Sequence, residues 1–186
     1  MPSAVSWIIE LIPPQSTPRS RSWEPVENEL GTPLPTDYKQ LADIYGAGLF
    51  DETIWLLEPG CHHEIYDLNL ASVVKERDEV LADLWEFEDK PAELHEDGAR
   101  VLPWAFCEGS GHFLYWLLQP GQAPDDWTVM LNEGRGPEWE SHRLSCSRFL
   151  FAAMTGDIDS FYFDGPLATT HRFQPIRDCT VFGSGP

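Results

Sequence analysis

Positive charge is scarce in this sequence. Against 31 Asp and Glu stand 12 Lys and Arg, a formal net charge of −19 over 186 residues. A surface of that sign repels phosphate backbones, so direct nucleic-acid binding is not expected. It attracts a basic protein and speeds the encounter at low salt. Plain solubility, or adaptation to a salty cytosol, accounts for the same composition equally well. Long apolar runs are also missing, and nothing approaches the ~20 consecutive apolar residues of a membrane span. Residues 7–12 (WIIELI) are too few for a secretory leader, are interrupted by Glu10 and have no basic flank. The four cysteines, at 61, 107, 146 and 179, include no C-x-x-C pair. Free thiols in a reducing cytoplasm are the simplest expectation.

The common chemical signatures are absent too. Neither G-x-x-x-x-G-K-[ST] nor G-x-G-x-x-G occurs, so no phosphate-cradling loop is indicated. Gly134-Arg135-Gly136-Pro137 reads as a turn, and Ser110 lies outside any G-x-S-x-G elbow. Cys61-His62-His63-Glu64 carries metal-type donors. Adjacent residues of an extended segment point to opposite faces, however, and no second cluster supports a site, so a polar loop is the default. Cys107 and His112, with Glu108 as orienter, would still need an oxyanion hole to act as a nucleophile pair. Asp125 and Asp126 read as a turn before a strand. No catalytic residue, metal or cofactor is assigned, and the chain is not expected to be an enzyme.

What is present is an ordinary globular composition, 42% hydrophobic with eight tryptophans and frequent Pro and Gly. Residues 3–12 suit a short amphipathic helix closed by Pro13 and Pro14, followed by an exposed connector. The organised domain is expected from Ser22, which can cap a helix through Trp23, Val26 and Leu30 ending at Gly31. A second helix follows Thr36, with Tyr38, Leu41, Ala42 and Tyr45 on one face and Gly46 as its cap; Gly48 keeps the exit loop permissive. Residues 53–57 read as a strand. The spacing of Leu70, Val73, Val74, Leu81, Leu84 and Trp85 predicts a long helix over 69–87, and 86–97 a solvated link. Segments 99–107, 111–119, 127–132 and 138–143 read as strands with short connections, which favours antiparallel pairing. A helix over 147–155 closes the pattern at Gly156. The expected fold class is therefore α+β: a single domain, with helices packed against a central antiparallel sheet.

The run from Trp23 through Leu30-Gly31-Thr32-Pro33-Leu34-Pro35-Thr36-Asp37-Tyr38-Lys39 to Tyr45-Gly46-Ala47-Gly48 resembles the opening signature of the SUKH superfamily, the Smi/Knr-like domains of bacterial polymorphic-toxin systems. Leu102-Pro103-Trp104-Ala105, Asp125-Asp126-Trp127-Thr128-Val129 and the helix from Phe149-Leu150 to Thr155-Gly156 follow in that family's order. The similarity covers roughly residues 22–156. Residues 1–21 and the tail 157–186, expected to drape over the domain, lie outside it. Cys107-Glu108-Gly109-Ser110-Gly111-His112 departs from the Gly/Asp-rich hairpin common in the family.

The resemblance implies an immunity protein that neutralises a cognate toxin, often a nuclease, by binding it; other members are regulatory modules, and no catalytic residue is characteristic. The acidic surface would then cover a basic toxin face. Candidate contacts near the strand connections are Asp51, Glu52, Glu58, Glu108, Asp125, Asp126, Glu133 and Glu138, with Trp127 and Trp139 as aromatic anchors. A regulatory scaffold with a cellular partner, or an unrecognised enzyme or metal-binding module, stands as the alternative.

Overall fold

The computed structural model describes residues 3–178. The chain is α+β, built on a seven-stranded sheet in the order β6-β5-β4-β3-β2-β1-β7 with every neighbouring pair antiparallel. The strands are β1 (Gly48–Phe50), β2 (Ile54–Leu56), β3 (Arg100–Cys107), β4 (Phe113–Leu118), β5 (Thr128–Asn132), β6 (Trp139–His142) and β7 (Phe173–Pro175). The helices are α1 (Ala4–Leu11), α2 (Glu24–Leu30), α3 (Thr36–Ile44), α4 (Leu70–Leu84) and α5 (Cys146–Thr155).

Alternation along the strands divides the core. Leu114, Trp116, Val129 and Leu131 join one cluster with Tyr38 of α3 and Phe149 of α5, while Tyr115, Leu117, Met130 and Val101 join a second with Leu81 of α4. Helices thus cover both faces. Pro103 cannot donate a ladder hydrogen bond, and it sits where the β3–β4 register shifts. Beside it Trp104 is fully buried, its ring edge-on to Phe149 at 6.5 Å.

An isolated helix of eight residues is marginal in water, so α1 depends on packing. Val5, Ile8 and Ile12 lie in the same core as the residues of 22–156, and Trp7 meets Phe151 of α5 at 5.3 Å. The tail likewise contributes structure. Residues 173–175 form β7 against β1, a strand absent from the sequence reading because Phe-Gln-Pro has no alternation to read. Gly48 proves to be the first residue of β1 and not a loop residue. A side chain there would collide with the Phe173 ring and the Gln174 carbonyl.

Other boundaries shift modestly. Ser22 does not cap α2, whose preceding residue Trp23 makes no side-chain capping bond. The long helix ends at Leu84, and the link after it contains a 3₁₀ turn, Ala92–Leu94, with Leu94 buried.

The segment that carries the family resemblance is fully occupied with structure. The first amide of α3, Thr36 N–H, donates to Asp125 Oδ1 at 2.6 Å, and the Thr36 hydroxyl donates to Oδ2 at 3.0 Å. Asp37 accepts from the backbone N–H of Ser147 at 3.1 Å and from its hydroxyl at 2.6 Å, at the start of α5. Tyr38 has no exposed surface; its hydroxyl donates to the Leu57 carbonyl at 2.5 Å and its ring stands edge-on to Trp116 at 4.8 Å. Lys39 pairs with Glu27 and lies 5.9 Å from the Trp23 ring. Replacing Tyr38 with Phe keeps the ring packing but orphans a buried carbonyl. Urea unfolding should therefore show a loss of about 1–3 kcal/mol, with the m-value unchanged.

Candidate functional site

Six of the sequence-derived candidates are consumed by the fold. The Asp51 side chain is fully buried, shares a 2.6 Å hydrogen bond with His171 Nδ1 and accepts from the Arg172 amide at 2.8 Å. Glu58 pairs with Arg21 at 2.6 Å and takes the Ala47 amide at 2.8 Å. Glu108 accepts from the Trp55 indole, and Asp125 holds the start of α3. Trp127 is 4% exposed and packs on Trp116, so it presents no anchor to a partner. Trp139 is half-buried against Tyr115 at 5.4 Å and near Trp85 at 6.4 Å. The reason is common to all six: residues at strand connections are also the ones placed to tie adjacent elements together.

Glu52, Asp126, Glu133 and Glu138 remain exposed. Glu52 is paired with Arg172, and Asp126, next to the Asp125 that caps α3, has no side-chain partner among the described residues. Only Glu133 and Glu138 are brought together, in the β5–β6 hairpin loop. That loop is held rigidly from below. The buried Asn132 donates to the Gly136 and Glu138 carbonyls at 3.1 and 3.0 Å, and accepts from Gly134 at 3.0 Å. Arg77 of α4, also buried, lies 4.3 Å from the Phe113 ring, donates to the Tyr115 hydroxyl at 3.0 Å and reaches the Gly134 carbonyl.

The sequence reading missed three companions. Glu140 Oε1 accepts the Phe161 amide at 2.7 Å, and Oε2 accepts the Ser160 hydroxyl at 2.7 Å. Tyr162 donates to the Glu138 carbonyl at 3.0 Å and packs on the His112 ring at 4.5 Å. Partial burial, with Glu133, Glu140 and Glu138 around it, pushes the Tyr162 hydroxyl up to about 12. Beside it Phe161 is 90% exposed. The run of aromatics at 161–163 was the available signal, but its position against the hairpin depends on long-range packing. Carboxylates around Tyr162, beside the protruding Phe161 ring, suit contact with cationic and apolar side chains.

The other chemical candidates do not assemble. Cys107 receives no help from His112, whose ring faces Tyr162; only their backbones bond, Cys107 N–H to the His112 carbonyl at 2.7 Å. Burial pushes the Cys107 thiol up to about 12. His63 Nδ1 accepts the Ile65 and Tyr66 amides, both at 3.2 Å, which makes the Cys61–Glu64 segment a self-bonded loop. Among the described residues no group of three or more His, Cys, Asp or Glu is placed to hold a metal ion, and no helix is long and apolar enough to cross a membrane. Comparison with family models, with curated proteins and with solved structures returns no significant match.

The thiols themselves offer a check. Cys107 and Cys146 are buried, whereas Cys61 is partly exposed and Cys179 lies outside the described residues. With its thiol near 12, Cys107 at pH 8 is roughly one part in ten thousand thiolate. In a Cys179→Ser background, a thiol reagent at pH 8 should label Cys61 alone until urea unfolds the chain. Rapid native labelling of Cys107, read by mass spectrometry, would contradict its placement.

Proposed function

We propose that this chain is a non-catalytic, cytoplasmic protein-binding domain of immunity type, which neutralises a cognate bacterial toxin by covering its basic face. A nuclease toxin fits best, because its substrate-binding face must attract phosphate and would attract this surface for the same reason. The observation that carries the reading is the hairpin end of the sheet. There Glu133, Glu138 and Glu140 converge on Tyr162 beside the protruding Phe161, in a chain of net charge −19. The resemblance of residues 22–156 to Smi/Knr-like domains supports the class of protein. The high thiol of Cys107 and the diverted ring of His112 support binding over nucleophilic catalysis.

A regulatory scaffold is the second reading. It is favoured by the structural employment of Pro35–Lys39, which ties that signature to the fold and not to a toxin.

The test is capture of partners from the native host, followed by affinity measurements on the partner found. The expected partner is a basic protein whose toxicity is abolished on co-expression with this chain. Its binding should weaken as salt rises. Glu133→Lys/Glu138→Lys with Phe161→Ala should weaken binding by about tenfold or more, on the scale of interface hot spots, while Asp126→Lys leaves it near wild type. Affinity that is indifferent to salt would overturn the electrostatic cover. A partner retained by the triple variant would move the interface elsewhere, and a non-toxic partner would favour the scaffold.

A further inference from the structure

The chain's cations are few, yet three of its 12 Lys and Arg residues line one cavity. It lies between the connector after α1, the C-terminal end of α3, the start of β1, and β7 with the 3₁₀ turn Ile176–Asp178 that follows it; its volume is about 200 Å³. Ile12, Pro14, Tyr45, Phe173, Pro175 and Ile176 form apolar walls. Tyr45 locks the connector in place by donating its hydroxyl to the Ile12 carbonyl at 2.6 Å.

The polar groups divide into two sets. On one side Arg21 is compensated: it pairs with Asp43 at 3.1 Å and Glu58 at 2.6 Å, and donates to the Ala42 carbonyl at 3.0 Å. The second oxygen of Glu58 is occupied by the Ala47 amide. Both carboxylates of the cavity are therefore engaged. At the mouth, Arg19 is held by its backbone N–H, which donates to the Asp43 carbonyl at 2.7 Å. Among the described residues its guanidinium has no hydrogen-bond or ion-pair partner. Arg177 has only a loose pair, 3.9 Å to Asp178 with both side chains more than half exposed. In a protein with acids to spare, the cavity mouth thus carries one cation without a partner among the described residues and one that is only loosely paired.

We propose that this cavity binds a compact amphiphilic carboxylic acid, its carboxylate met by Arg19 and Arg177 and its apolar body held among Ile12, Pro14, Phe173 and Ile176. The guanidinium fork matches a carboxylate in plane and charge. Size limits the body: a cavity of ~150 Å³ holds benzene, so this one suits a single ring with a short acid chain. The protein's overall negative field opposes entry of an anion, but at ~0.15 M salt it is screened within about 8 Å, leaving the nearest charges to decide. The site is independent of the hairpin surface and of any protein partner.

The test is a titration of the isotope-labelled full chain with 3-phenylpropionate, followed by amide chemical shifts at ~0.15 M salt. The neutral 3-phenylpropan-1-ol and the cationic 3-phenylpropylamine serve as isosteres. Saturable shifts with the acid should cluster at residues 12–21, 42–47 and 173–177. The alcohol should bind more weakly, by about fivefold, the upper scale of an exposed ion pair, and the amine more weakly still. Arg19→Gln/Arg177→Gln changes two exposed side chains and leaves the Arg21 network intact, so the fold should persist. It should reduce the acid to the affinity of the alcohol. Absence of saturable shifts, shifts spread over other surfaces, equal affinity for acid and alcohol, or unchanged affinity in the double variant would each overturn the site.

Discussion

Asp37 stands where two helices and the sheet meet. Its carboxylate takes the amide and the hydroxyl of Ser147, in the first turn of α5, and one of its oxygens also accepts the Tyr38 amide. The orphan N–H groups of a helix N-terminus need acceptors, and a negative charge there is doubly favoured. One turn earlier in this relay, Asp125 supplies the same service to α3. Two helices, α3 and α5, thus begin on a carboxylate supplied from a distant part of the chain. With α3 fixed in this way, Tyr38 is driven under the sheet, where its hydroxyl reaches Leu57 and its ring braces Trp116. α1 then packs on α5 and α3, and Tyr45 anchors both the connector and the tail through Ile12 and Phe173.

This arrangement explains why the acidic residues are not equivalent. Asp37, Asp51, Glu58, Glu108 and Asp125 lie inside the hydrogen-bonding scheme of the fold. Glu133 and Glu138 are held at the surface by a loop whose backbone is satisfied from beneath by Asn132 and Arg77. A rigid support lowers the ordering cost of an interface. It is the contrast between the two groups, more than the net charge, that sets the hairpin end apart from the rest of the acidic residues.

Much of the fold was legible because its main elements carry strong periodicity. The 3.6-residue spacing of Leu70, Val73, Val74 and Leu81 and the run of β3–β6 with short connections both appear in the structure. The short edge elements were not legible. Gly48–Phe50 and Phe173–Pro175 are three residues each; the first is paired on both sides, with β2 and β7, and the second is a strand only because β1 lies beside it. The site was less readable still. Trp127 and Trp139 carry the same aromatic signal as Phe161, yet the first is core, the second half-covered and the third 90% exposed.

Composition and pattern by themselves determined the acidity, the α+β class and the antiparallel core, since these depend on counts and on local spacing. Only the tertiary structure decided which carboxylates cap helices and which face outward. It also decided that the N-terminal helix and the tail share the core, and that Arg19, Arg21 and Arg177 meet at one cavity. Those outcomes depend on contacts between residues far apart in the chain, and burial, hydrogen-bond satisfaction and charge pairing are properties of such contacts, not of residue type.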